Sequence, residues 1–389
     1  MRGRPVGLAA GVLAALVGAV LLGGACAVDR ALNRVTERAG EPVPDEVRRL
    51  HAGLVVVDLH ADPLIWDRDL GRRARHGHVD LPRLREGGVA VQVFGVATKT
   101  PWGLNFERNE SDAPDMMTPL VVLQRRPRAT WGSLYERALD QAARLHDAAR
   151  ASGGRFRVLR SRGDLDRFLA DRAADPSLVA GLLTIEGLHA LEGRLEHVDG
   201  LFEAGFRMMG LAHFFDNEVA GSAHGAEKGG LTELGVQTLG RMEALGIALD
   251  LAHASPRAID DALARARKPV VVSHTGVQGS CPGPRNLSDD QLRRIAAQGG
   301  VVGIGFFPGA VCGDDVAAVA RAFAHARRVV GADALAFGSD WDGATTTPFD
   351  AAGLPRLTAA LGSAGFSPDE LRRVAGENAL RVLRATLPD

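Results

Sequence analysis

From Leu54 onward the chain repeats one pattern: a short apolar run, a helix-like stretch, then another apolar run. The runs are Leu54–Asp58, Val89–Val96, Leu178–Ile185, Phe206–Leu211, Ile247–Leu251, Pro269–Ser273, Val301–Phe306 and Leu335–Gly338. Most lack polar alternation, as parallel strands covered on both faces do. Between them lie helical stretches such as Leu231–Leu245, Pro256–Ala266, Asp289–Ala297 and Val316–Val330. Ser288 with Gln291, and Ser367 with Glu370 after Pro368, have the spacing of capping boxes at helix starts. Eight strands in this rhythm predict an α/β chain folded as a (β/α)8 TIM-like barrel, with one doubly wound sheet as the alternative.

The rhythm breaks between the second and third runs, at about 98–177. This insertion holds a loop with Trp102, Asp112, Asp115 and Pro119, then a predicted helix over Leu134–Ala151. A long loop beside a barrel mouth is usually a lid or a dimer contact, so a homodimer is one expectation.

The N-terminus differs from the rest. Arg2 and Arg4 precede an uncharged stretch from Pro5 to Val28, rich in Leu, Ala, Val and Gly. Roughly 20 apolar residues can cross a bilayer as a helix, and Ala25-Cys26-Ala27 fits a small-x-small cleavage rule. Residues 1–28 therefore read as a signal peptide or an N-terminal membrane anchor, either of which puts the folded part outside the cytoplasm. A lipoprotein reading through Cys26 is disfavoured by Gly23, and a buried soluble helix is the plain alternative. Residues 29–52 read as a linker and short helix, and 53–389 as the barrel. Lys plus Arg (46) nearly balances Asp plus Glu (47), which leaves no basic field for nucleic acid. Cys281 and Cys312 could pair in an oxidising compartment, but read first as separate buried thiols.

Six of the eight runs end in polar residues. His60 and Asp62 follow the first, Glu186 the third and His213 the fourth. His253 follows the fifth, His274 the sixth, and Asp340 and Asp342 the eighth. In a (β/α)8 barrel these ends meet at one mouth. Imidazoles and carboxylates crowded there without a cation would be desolvated and mutually repelled, so a divalent metal is the simplest partner. Mixed nitrogen and oxygen donors without thiolate suit zinc, or else manganese, iron or cobalt. Two ions would want a bridging carboxylate, which Glu186 could supply. Taken singly, each residue has a plainer reading, and Asp340 or Asp342 alone would pass for a turn residue in "DWDG". His51, His76, His78, His224 and His325 lie away from strand ends and read as ordinary structural side chains.

The local words "DLHADP", "HVDLPRLREGGVAVQVF", "TIEGLHAL", "GLAHFFDN", "LDLAHAS", "VVSHTG", "PRNLSDDQL", "GSDWDG" and "GENALRVL" run in order from about residue 54 to 383. Together they resemble the renal or membrane dipeptidases, zinc metallopeptidases on an amidohydrolase-like barrel. The resemblance implies two zinc ions, His60 and Asp62 on one, His253 and His274 on the other, and Glu186 bridging. It also implies His213 facing the developing oxyanion, Arg285 gripping the substrate carboxylate and Asp340 as acid/base. Dipeptide substrates, with tolerance of a D residue at the second position, follow from the same likeness. Two features depart from it. Ala61 stands where Asn is common between the first two ligands, and with a single tyrosine in the chain, Phe306 and Phe307 are the candidates to line the pocket. Competing readings are a metal-dependent amidohydrolase acting on a cyclic amide, lactone or phosphoester, and a non-catalytic, metal-stabilised binding protein.

Overall fold

The computed structural model describes residues 24–36 and 42–389. Eight parallel strands close into a barrel: β1 (Val56–Ala61), β2 (Val89–Phe94), β3 (Val179–Ile185), β4 (Phe206–Gly210), β5 (Ala248–Asp250), β6 (Val271–Thr275), β7 (Val301–Ile304) and β8 (Leu335–Phe337). Neighbours follow chain order, and β8 closes the ring by pairing Phe337 with Asp58 of β1. The chain is a (β/α)8 barrel, and each apolar run holds one of its strands. The boundary shift that matters is at β1, which continues past Asp58 through His60 to Ala61.

Strand side chains alternate between two packed faces. Val57, Leu59, Val91, Val93, Ala180, Leu182 and Met208 cluster with Val382 and Leu383 of the C-terminal helix and with Leu387 just beyond it. Their neighbours Val56, Val89, Val179, Leu183 and Met209 join a larger cluster with Leu145, Leu201, Met242, Ile259, Leu292 and Phe323 from the helices. Each such fully buried side chain contributes about 1.5–3 kcal/mol. Both capping boxes are formed, at Ser288 with Gln291 and at Ser367 with Glu370.

The insertion contains helices Met117–Leu123, Ala129–Gly132, Leu134–Ala151 and Arg162–Ala174. It also holds an unforeseen strand, Phe156–Val158, which pairs with the first half of β3 while β4 takes the second half. Three residues with Arg157 at the centre offer too little apolar pattern to be read as a strand.

Residues 1–23, most of the expected leader or anchor, lie outside the described residues, among which no helix is long and apolar enough to cross a membrane. Residues 24–32 are helical, and Arg34–Val35 pairs in parallel with Thr346–Thr347 beyond β8. A helix at Asp45–Ala52 then leads into β1.

The cysteine reading is corrected. Cys281 and Cys312 form a disulfide, because the loops after β6 and β7 are neighbours at the barrel mouth and bring the two Cα atoms to 5.3 Å. Cys26 is free and exposed.

Candidate metal centre and active site

The strand ends gather their polar side chains around Glu186, which follows β3. Its Oε1 lies 3.3 Å from His60 Nε2. Its Oε2 lies 3.5 Å from His213 Nε2, 3.4 Å from His253 Nε2 and 3.6 Å from His274 Nε2. Asp62 Oδ2 is 3.2 Å from His60 Nε2, and the two Nε2 atoms of His253 and His274 are 3.0 Å apart. The rings of His60 and His274 stack at 3.9 Å. Asp340 completes a third group of potential donors with His60 and His274. All of these side chains are buried.

Local backbone geometry aims them. The β1–β2 register slips between Asp58 and Ala61, around His60, and the β6–β7 register slips between Val272 and Thr275, around His274. Such irregularities turn a side chain out of the regular pleat. His253, Asp340 and Asp342 all have left-handed backbones, at φ 61°, 61° and 64°. Each costs of order 1 kcal/mol or more and persists only where its surroundings hold it. Glycines make room: a Cβ on Gly95 would fall 2.1 Å from Asp62 Oδ1, and one on Gly343 would fall 2.4 Å from Asp340 Oδ1.

A layer of buried hydrogen bonds supports the cluster. Asp58 accepts from Gln92 Nε2 (2.6 Å), Ser339 N (2.8 Å) and Ser339 Oγ (2.7 Å), and that hydroxyl also lies 2.9 Å from His60 O. Burial pushes the Asp58 carboxyl up to about 6, against these donors. Asp250 accepts from Ser273 N (2.8 Å) and from Ser273 Oγ (2.5 Å). Having given its proton to Asp250, that hydroxyl accepts from His274 Nδ1 at 2.9 Å. The His274 tautomer follows: its Nε2 lone pair points into the cluster.

The protein alone leaves this inventory unbalanced. Burial would raise the Glu186 carboxyl, but the surrounding imidazoles of His213 and His60 hold it well below its usual range. Burial would lower His60, but Asp62 and Glu186 hold it well above. His253 and His274 are held well below by burial and by nearby positive groups. Among the described residues, His60 Nδ1, Asp62 Oδ1, His213 Nδ1 and His253 Nδ1 are buried with no hydrogen-bond partner. Imidazole and carboxylate donors converging on one volume, with unpartnered polar atoms behind them, fit divalent cations.

Around this centre the remaining candidates separate. Arg285 is buried, donates to His274 O at 2.6 Å, and lies with its guanidinium 5.8 Å from the Phe307 ring. Phe306 turns the other way and packs on Phe337, Trp341 and Phe349, so only Phe307 adjoins Arg285. Asp340 sits among carboxylates. Burial and then Asp62 raise its pKa well above the ordinary value. Asp342 faces away, accepting from His78 N (2.8 Å) and Val79 N (2.9 Å) and pairing with Arg68 at 2.8 Å. Arg68 in turn meets Asp29 at 3.0 Å, which ties the N-terminal segment to the loop that carries Asp340.

A profile of the membrane dipeptidases, peptidase family M19, matches residues 44–387. The chain belongs to the membrane dipeptidase family. It is 32% identical over 260 residues to an uncharacterised protein in the pqqA 5′ region of Klebsiella pneumoniae, covering 63% of this chain and 94% of that one. Two solved metallopeptidases share the fold at 25% identity, each over 86% of this chain and 99% of its own. One is dipeptidase AC of family M19, with a TM-score of 0.71. The other, from Rhodobacter sphaeroides, is liganded with a phosphinate mimic of L-Ala-D-Ala and has a TM-score of 0.69. As a membrane dipeptidase this chain is a metal-dependent hydrolase, and its barrel mouth is where the family's metal requirement meets a matching donor set.

Side chains away from the strand ends also pack against the site. His224, on the loop after β4, is buried beside His213 and His253, and burial together with Arg285 lowers its pKa to about 3. His78 and Arg68 hold Asp342. Only Asp342's turn sequence hinted at that network, and nothing marked its partners.

Proposed function

We propose that the protein is a dinuclear zinc dipeptidase that hydrolyses L-Xaa-L-Xaa dipeptides and tolerates a D residue at the C-terminal position. The observation that carries this reading is Glu186, whose two oxygens between them contact four histidine nitrogens from different strand ends. In this reading His60 and Asp62 would hold one ion, His253 and His274 would hold the other, and Glu186 would serve both. Bound cations would polarise the scissile carbonyl and lower the pKa of a water at the site.

The chain's own groups do the rest. Arg285 offers its uncommitted N–H groups to the substrate carboxylate, a fork that a longer peptide could not reach with its scissile bond still in place. His213 donates from Nε2 to the carbonyl oxygen as charge gathers there. The Asp340 carboxylate takes the proton of the attacking water and returns it to the leaving amine. Burial of these side chains keeps their charges in a low-dielectric setting, where each interaction is strong. Tolerance of a D residue is supported by the L-Ala-D-Ala mimic bound to the Rhodobacter sphaeroides relative.

We further propose that residues 1–28 export or anchor the enzyme with its catalytic domain outside the cytoplasm, a reading supported by the apolar stretch behind Arg2 and Arg4 and by the Cys281–Cys312 disulfide. Metal analysis beside hydrolysis of L-Ala-L-Ala, L-Ala-D-Ala and a C-terminally amidated dipeptide tests the whole. Two zinc ions per chain, activity on both free dipeptides, and none on the amide are expected. In Glu186→Gln, metal and activity should disappear together, and a metal-free active variant would overturn the proposal.

A further inference from the structure

His253, after β5, and His274, inside the end of β6, differ behind their metal-facing nitrogens. His274 Nδ1 is held by Ser273 Oγ, itself held by Asp250. His253 Nδ1 is buried and has no partner among the described residues. A ligating histidine nearly always donates its second ring N–H to a fixed acceptor, which sets its tautomer and raises its basicity.

A ring that could supply an acceptor packs beside it. His224 is fully buried, with its ring centroid 5.3 Å from that of His253. Its Nδ1 lies 2.7 Å from Phe106 O. A carbonyl only accepts, so Nδ1 carries the proton and Nε2 carries the lone pair. That Nε2 is also buried without a partner among the described residues. Each ring therefore has what the other lacks.

The backbone holds the pair in this relation. Ala223 N donates to His253 O at 2.8 Å, and His224 N donates to Ser222 Oγ at 3.0 Å. Ser222 Oγ in turn donates to His213 O. The insertion clasps the same point from outside, with Asn109 N donating to His224 O at 2.8 Å. Phe214 and Phe106 pack against the His224 ring at 4.7 and 5.4 Å and keep water away from it.

We propose that His224 is a positioning residue for the metal centre: when the ions are bound, its Nε2 accepts from His253 Nδ1–H, in a chain running Phe106 carbonyl, His224, His253. The insertion then has a role at the centre, because its Phe106 carbonyl dictates the tautomer of His224 and through it that of His253. This rests on the metal-centre reading of the proposed function.

Three full-length variants separate the acceptor from its packing. His224→Asn keeps a donor for Phe106 O but cannot reach His253. His224→Gln can present a carbonyl oxygen near the place of Nε2, and His224→Phe keeps only the bulk. The measurement is Zn2+ affinity by chelator competition, with the absorption spectrum of the Co2+-loaded protein as a second readout. His224→Asn and His224→Phe should lose about 10–100-fold in affinity at one site and shift the Co2+ bands, and His224→Gln should recover most of both. Wild-type affinity in His224→Asn overturns the proposal. So does a loss in His224→Gln equal to that in His224→Phe, with the thermal midpoint of the metal-free chain unchanged. Wild-type protein that binds no Zn2+ would instead overturn the metal-centre reading itself.

Discussion

Asp340 and Asp342 stand two residues apart on one loop, both buried and both with left-handed backbones, yet their carboxyls are driven in opposite directions. Burial disfavours charge on each. Asp342 overcomes it with the Arg68 guanidinium and the backbone N–H groups of His78 and Val79, while the His78 ring accepts from Asp342 N. Asp340 has Asp62 and Glu186 as neighbours, and its nearest arginine influence, Arg285, already donates to His274 O. One carboxylate is an anion that holds the loop, and the other is the group to which the proposed mechanism gives the proton. Opposed environments on paired carboxyls are how one site separates structural from acid/base roles.

The sharpest way to break this contrast is Asp340→Asn. Its loss as acid/base should lower kcat by about 100–10,000-fold. Metal content should stay at the wild-type level, and the thermal midpoint of the metal-free chain should hold or rise, because a carboxylate repelled by Asp62 is removed. Steady-state kinetics, metal analysis and calorimetry on one preparation check all three. Activity within tenfold of wild type would deny Asp340 the proton-carrying role.

Asp342→Asn should do the reverse, damaging the fold more than the chemistry. Breaking a buried ion pair costs about 3–5 kcal/mol, and Arg68, left with Asp29, puts the loss toward the lower end of that range. The asymmetry should also appear in pH. A folded-state pKa depressed below the unfolded value means that the stabilisation is fully present above the ordinary Asp value of about 4 and is lost as pH falls below it. The stability gap between wild type and Asp342→Asn should therefore be constant from pH 5 to 8 and should narrow in acid. Denaturant melts across that range measure it, and a gap that widened in acid would reverse the assignment.

The same two residues show what could be read without coordinates. Asp340 belongs to a pattern, polar groups closing apolar strands, that also gathers His60, Asp62, Glu186, His213, His253 and His274 at one mouth. Strand order in a barrel turns such a pattern directly into proximity. The partners of Asp342 follow no pattern. His78 lies 264 residues earlier in the chain, and Arg68 and Asp29 sit on a loop and an N-terminal helix with no periodic signature. His224 escaped for the same reason, being on a loop where only the path of the backbone brings it to His253. Gly95 and Gly343 act through the side chains they lack, which a reading of donor residues passes over.

A smaller effect tests whether the opposite wall of the mouth needs comparable fixing. Arg285 and Phe307 sit on the loops that the Cys281–Cys312 bridge joins, much as Arg68 joins Asp342 to Asp29. Asn286 Nδ2 also fastens this wall by donating to Cys281 O at 2.7 Å and Gly309 O at 3.2 Å, so removal of the bridge leaves contacts in place. A 31-residue separation between the cysteines sets the expected loss for the Cys281→Ser, Cys312→Ser double variant at about 2–4 kcal/mol. Because Arg285 is read as holding the substrate carboxylate, loosening its loop should raise KM several-fold and leave kcat nearly untouched, the converse of Asp340→Asn. A fall in kcat with KM unchanged would mean that the bridge serves the proton-carrying side of the mouth rather than the carboxylate-binding side.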